Sequence, residues 1–222
     1  SKPIIVAIDE TQLNSFKKIV DSLDNNLCMI KIGSVSFNAI GREAINYVAN
    51  KGFKIFLDLK FHDIPNTVKK SIQGLISLPI SMMTIHTSGG LEMMKAAKKA
   101  VEGSNIKIFG VTALTSLSDE DTGTIFQRTA SNQVKVMLDM AQEAQIDGVV
   151  CSPHELDLVV AQKSLLSITP GIRLSESADD QSRVMTPKDA ISKGADYIVI
   201  GRPITNAPNI SEALQEIHNS IW

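Results

Sequence analysis

Asp58 and Lys60 close one short apolar run, Lys31 lies inside another, and Asp9, His86 and Arg202 close three more. Side chains two apart on a strand share a face, so an inward Asp58 makes Lys60 inward as well. An acid and a base buried side by side must find partners, and Lys31 on a neighbouring strand would set a second positive charge beside Asp58. Lys31, Asp58 and Lys60 then form an alternating array across two strands. Such clusters of mutually perturbing ionisable groups mark sites of function. A lone Asp-x-Lys reads as well as a structural ion pair, but desolvating charges roughly cancels their attraction, so folding alone gives little reason to keep four such residues on inner faces. His62 and His86 are acid–base candidates by residue type, and neither shows metal-ligand spacing.

The elements that must carry these residues repeat. Strand candidates are Ile4 to Asp9, Met29 to Gly33, Lys54 to Lys60, Met82 to His86, Lys107 to Thr112, Gly148 to Ser152, Leu166 to Pro170 and Tyr197 to Arg202. Helical patterns fall between them at Asn66 to Leu78, Gly90 to Val101, Gln133 to Ala144, Pro187 to Lys193 and Ser211 to Ile221. In the first of these, Val68, Ile72, Leu75 and Ile76 share a face while Lys69, Lys70 and Gln73 face away. Repeated βα units predict a parallel sheet, and eight of them in 222 residues without a linker predict a single (β/α)8 TIM barrel, one α/β domain over residues 1–222. A doubly wound open sheet is the alternative; it carries fewer strands at this length, and no G-x-G-x-x-G follows the first strand. Ala113 to Thr129 and Ile172 to Met185 lack a clear helix, and long connections at the carboxyl end of a barrel are where ligand loops belong.

The composition fits one globular domain: 43% hydrophobic and 21% charged residues, with 22 Lys+Arg against 24 Asp+Glu and no block of like charge. That balance argues against a nonspecific nucleic-acid or membrane-surface binder. A chain of this size buries roughly 70% of its unfolded surface, so it needs no disulfide staples. Cys28 and Cys151 lie in apolar runs without C-x-x-C spacing and read as small core residues. The first apolar run reaches Asp9 too soon for a signal peptide and no run is long enough to span a bilayer, so the expected location is cytoplasmic.

The run Asp58-Leu59-Lys60-Phe61-His62-Asp63-Ile64-Pro65-Asn66-Thr67 closely resembles the signature of orotidine 5′-phosphate decarboxylases. The resemblance covers nearly the whole chain. Ala7-Ile8-Asp9, Lys31-Ile32-Gly33 and His86-Thr87-Ser88-Gly89-Gly90 are similar to the ends of the family's first, second and fourth strands. Val111-Thr112-Ala113-Leu114-Thr115-Ser116, Thr169-Pro170-Gly171-Ile172-Arg173, Asp179-Asp180-Gln181 and Gly201-Arg202-Pro203-Ile204 match the later ones. Two departures stand on the seventh loop, Leu174 in place of proline and Ala178 in place of glycine.

The resemblance implies cofactor-free, metal-free decarboxylation of orotidine 5′-monophosphate to UMP, the last step of pyrimidine nucleotide synthesis. It puts Lys60 beside C6 as carbanion stabiliser and proton donor, Asp58 by the departing carboxylate, and Lys31 and Asp9 on the ribose hydroxyls. Asp63 would reach into the partner's site of a homodimer. The remaining substrate contacts it implies are Ile64, Thr67, Thr115, Pro170 and Gly201, with Arg202 and Gln181 on the phosphate. Arg173 is either a second phosphate ligand or a surface charge, and His62 and His86 are given structural roles. Two rivals remain. A sugar-phosphate enzyme of the same barrel architecture shares Asp-x-Lys-x-x-Asp but holds a metal, for which it carries an acid where this chain has Lys31; a catalytically dead nucleotide-binding barrel is the other.

Overall fold

A computed structural model describes residues 2–174 and 185–222. The strands are β1 (Ile4–Ile8), β2 (Cys28–Gly33), β3 (Ile55–Phe61), β4 (Met82–His86), β5 (Lys107–Val111), β6 (Gly148–Val150), β7 (Leu166–Thr169) and β8 (Tyr197–Ile200). All neighbours pair in parallel, and β8 returns to β1 through Ile4↔Ile198, so the sheet closes into the (β/α)8 barrel that the repeats predict.

Alternation sorts the side chains into two cores. Ile5, Ala7, Met29, Phe56, Met82, Phe109, Ile168 and Val199 fill the barrel interior. Their neighbours in sequence, such as Ile4, Val6, Ile30, Ile55, Leu57 and Ile198, point outward under the helices. Both faces are therefore apolar, which is why the strands read as continuous hydrophobic runs. Gly148 marks a close approach of backbones: a Cβ there would lie 2.4 Å from the Leu166 carbonyl oxygen of β7.

The helices of the described residues are α1 (Leu13–Asp21), α2 (Ser34–Ile40), α3 (Arg42–Asn50), α4 (Pro65–Gln73), α5 (Leu91–Ala100), α6 (Asp119–Phe126), α7 (Ala130–Glu143), α8 (Leu156–Val160), α9 (Pro187–Ser192), α10 (Arg202–Thr205) and α11 (Ile210–Ile221). In α4, Val68 and Ile72 are buried as its periodicity predicts, and the helix stops at Gly74, short of the expected Leu78. Helix α6 corrects the expectation of a helix-free Ala113 to Thr129. Only Thr122 of it is buried, so it has no apolar stripe; a capping box defines it, with Ser118 Oγ accepting from the Asp121 amide and the Asp121 carboxylate accepting from the Ser118 amide. Arg202 is likewise corrected, since β8 ends at Ile200 and Arg202 opens α10.

Cys28 and Cys151 are buried, and burial pushes both thiols up to about 12, as inert core residues require.

Candidate active site

At the carboxyl ends of β2, β3 and β4 the charge array is assembled. Lys31 Nζ lies 3.1 Å and Lys60 Nζ 2.8 Å from the same oxygen of Asp58, Oδ2. The other oxygen, Oδ1, accepts a 2.8 Å hydrogen bond from Thr84 Oγ1. Asp58 is only 6% exposed. Burial raises the pKa of its carboxyl, but the two ammonium charges and the hydrogen bonds from Lys60 and Thr84 outweigh burial and hold it below the ordinary carboxylate range. A carboxylate so held stays ionised and keeps both ammonium groups pointed at one spot.

Strict alternation does not bring Lys60 there. The β3–β4 register runs Phe56↔Met82 and Leu57↔Met83, then resumes at Phe61↔Ile85. Asp58, Leu59 and Lys60 thus face the single residue Thr84, and Lys60 takes a left-handed φ of +48°. A β-bulge of this kind re-aims a side chain, and a non-glycine residue at positive φ carries strain that its surroundings must support.

One cavity opens on the array and a second, larger one adjoins it. The smaller, about 160 Å³, has Lys31, Asp58 and Lys60 at one wall, and Phe56, Val150, Ile168 and Val199 among its apolar walls. Thr115 and Pro170 also line it. The larger, about 1050 Å³, is lined by Asp9, Arg173, Gly201 and Arg202 among others, and shares Val199 with the first. Asp9 lies one residue beyond β1. Its loop is held by buried Ser36, whose Oγ accepts from the Glu10 amide and whose one proton is shared between the carbonyls of Ile8 and Glu10. Gly33 leaves open the space between Asp9 and Lys31: a Cβ there would lie 3.7 Å from both Asp9 Oδ1 and Lys31 Nζ.

The structure thus gathers Asp9, Lys31, Asp58, Lys60, Thr115, Pro170, Arg173, Gly201 and Arg202 around one pair of cavities. Asp63, Ile64 and Thr67 are exposed and line neither cavity. The Asp63 carboxylate accepts from the Ile64 amide at 2.7 Å. Gln181 lies outside the described residues. The rings of His62 and His86 meet at 5.2 Å, tilted by 39°. Burial, then the His62 and Lys60 charges, push the His86 imidazole below its ordinary pKa, which keeps it neutral at neutral pH. Thr84 and Ser36 escaped the sequence reading. Thr84 stands two residues before His86 on the same strand face, a polar residue in an apolar run, and that was its one available signal. Among the described residues no three His, Cys, Asp or Glu side chains converge as metal ligands would.

Residues 2–217 match the model of the orotidine 5′-phosphate decarboxylase / HUMPS family. The chain is 44% identical to the orotidine 5′-phosphate decarboxylase of Saccharophagus degradans, over 96% of this chain and 92% of the relative. It is 44% identical to that of Shewanella sediminis, over 100% and 97%. Its fold matches the crystal structure of orotidine 5′-phosphate decarboxylase from Lactobacillus acidophilus with a TM-score of 0.87 and 36% identity, covering 100% of this chain and 99% of that one.

Proposed function

Because the chain belongs to the orotidine 5′-phosphate decarboxylase / HUMPS family and decarboxylates orotidine 5′-monophosphate to UMP in pyrimidine biosynthesis, we propose that Lys60 is its proton donor and that the Lys31–Asp58–Lys60 array is its catalytic machinery. The observation that carries this is the convergence of both ammonium groups on one buried carboxylate at the wall of an apolar slot.

The pyrimidine ring enters the smaller cavity with C6 toward Lys60. The bond from C6 to its carboxylate breaks and carbon dioxide leaves. The electron pair stays on C6 in an orbital in the ring plane, where the π system cannot spread it, so a neighbouring cation is the available stabiliser. Lys60 opposes that charge and then gives a proton from Nζ to C6, and solvent restores the ammonium. No cofactor is required by this route. Repulsion between Asp58 and the substrate carboxylate contributes less: two like charges about 4 Å apart cost roughly 4 kcal/mol at an effective dielectric near 20, against barrier reductions that reach about 20 kcal/mol in demanding reactions. Asp58 acts chiefly by keeping Lys60 charged and fixed before the reaction begins.

Asp9 and Lys31 hold the ribose hydroxyls, Thr115 and Pro170 border the ring, and Gly201, Arg202 and Gln181 take the phosphate at the larger cavity. Arg173, on the rim of that cavity, is a second phosphate ligand. Asp63, Ile64 and Thr67 serve the site of a second copy in a homodimer; their exposure, and their absence from this chain's own cavities, support that role. The enzyme works in the cytoplasm; no helix of the described residues is long and apolar enough to cross a membrane.

The test is turnover in excess chelator. Full conversion of orotidine 5′-monophosphate, with Lys60→Ala inactive, is expected. A requirement for added divalent metal would overturn the proposal in favour of metal-held chemistry.

A further inference from the structure

We infer that Thr84 is a positioning residue: its hydroxyl holds open the β3 bulge that folds Lys60 back onto Asp58. This rests on the proposed roles of Lys60 and Asp58 and goes beyond them.

Thr84 is fully buried in the middle of β4 and lines neither cavity. The Lys60 amide donates to Thr84 Oγ1 at 3.0 Å. A backbone N–H can only donate, so Thr84 Oγ1 accepts there, and its single proton is left for Asp58 Oδ1 at 2.8 Å. In a regular parallel ladder a strand amide bonds to a carbonyl of the neighbouring strand. Here three residues of β3 face one residue of β4, and the Thr84 side chain receives the Lys60 amide instead.

A ring of hydrogen bonds closes as a result. The Lys60 amide bonds to Thr84, Thr84 to Asp58, and Asp58 to Lys60 Nζ at 2.8 Å. Both ends of Lys60 are thereby tied to one buried carboxylate. Without the Thr84 acceptor, the Lys60 amide loses its hydrogen-bond partner and the +48° φ loses the contact that offsets its strain. Valine is nearly the same shape as threonine and lacks the hydroxyl; serine keeps it.

Thr84→Val is expected to lower kcat about ten- to a hundredfold, the effect of losing hydrogen bonds to a charged group, with much less change in KM. The pH profile supplies a readout that packing alone would not move. Asp58 is faced by Lys31 from β2, by Lys60 on its own strand, and by Thr84 and His86 from β4, with His62 beside His86 and Asp9 near Lys31. Only the Thr84 hydroxyl changes in Thr84→Val. Losing its donated bond raises the carboxyl pKa, so the acid limb of kcat/KM moves to higher pH. Thr84→Ser should return both kcat and the limb toward wild type.

If Thr84→Val turns over like wild type, if Thr84→Ser is as impaired as Thr84→Val, or if the acid limb stays in place, the inference is overturned. If Thr84→Val does not fold, Thr84→Ala carries the same measurements. Lys60→Ala runs alongside: should it stay active, the reading of Lys60 fails whatever Thr84 does, whereas an inactive Lys60→Ala beside a fully active Thr84→Val removes the role of Thr84 alone.

Discussion

At the scale of single residues, the array allows its members to be removed without unfolding the barrel, because Asp58 has more partners than it needs. Lys60→Ala leaves Asp58 paired with Lys31 at 3.1 Å and bonded to Thr84, and alanine tolerates the left-handed backbone no worse than lysine does. The expected result is a folded, inactive protein, checked by UMP formation beside circular dichroism; near-normal turnover would remove Lys60 as proton donor. Asp58→Asn is expected to be nearly as severe, since a neutral amide no longer anchors two ammonium groups. The phosphate end behaves differently. Arg202 offers a forked donor to a dianion, and losing a charge-assisted contact costs roughly 2 to 3 kcal/mol, which is about thirty- to more than a hundredfold in kcat/KM. Arg202→Ala should therefore cripple turnover of the phosphorylated substrate and Gln181→Ala weaken it mildly. Neither should much change the slow reaction of the dephosphorylated nucleoside. An equal loss on both substrates for Arg202→Ala would put that residue in the chemical centre or in the fold.

At the scale of elements, the strands were legible because a buried parallel sheet writes itself as repeated runs of Ile, Val and Leu, and the site was legible because its charges interrupt those runs. Helix α6, the bulge at Lys60 and the hydroxyls of Ser36 and Thr84 escaped for a common physical cause: each depends on backbone geometry or capping, not on hydrophobic period. Helix α6 buries only Thr122 and is set by Ser118 and Asp121. The bulge at Lys60 depends on which atom receives one amide proton. The roles of Ser36 and Thr84 are those of single hydroxyls with no motif around them. The opposite end of the barrel uses another such device. Asp147, just before β6, accepts from the Ile108 amide of β5 at 2.8 Å and pairs with Lys98 of α5 at 2.7 Å, fastening two strands and a helix. Its partners lie far from the array, at the face of a barrel that serves stability. Asp147→Ala is expected to lower unfolding free energy by about 1 to 2 kcal/mol, less than a fully buried pair because both side chains are partly exposed. Urea denaturation measures it, with kcat unchanged; a fall in kcat at wild-type stability would mean that the two ends of the barrel are coupled.

At the scale of the whole molecule, the described chain leaves part of its signature facing solvent. His62 through Thr67 are six consecutive exposed residues, with Ile64 at 68% exposure, directly after β3 ends at Phe61. An isolated chain gains nothing from an exposed isoleucine beside an acid that reaches neither of its own cavities, whereas a two-fold dimer uses the same patch twice. If Asp63 completes the site of the other subunit, each site of the dimer draws Lys60 from one chain and Asp63 from its partner. Lys60→Ala and Asp63→Ala proteins are then each inactive or crippled as homodimers, and exchange of subunits makes heterodimers in which one site has lost both residues and the other has kept both. Equal mixing of the two should restore about a quarter of the wild-type sites, as random pairing in a two-fold dimer requires. Native mass spectrometry establishes that heterodimers have formed, and UMP production measured on the same mixture reports the recovered sites. If heterodimers form and activity stays at the level of the parents, Asp63 acts within its own chain, and the exposed run has to be explained by a loop that folds inward when substrate binds.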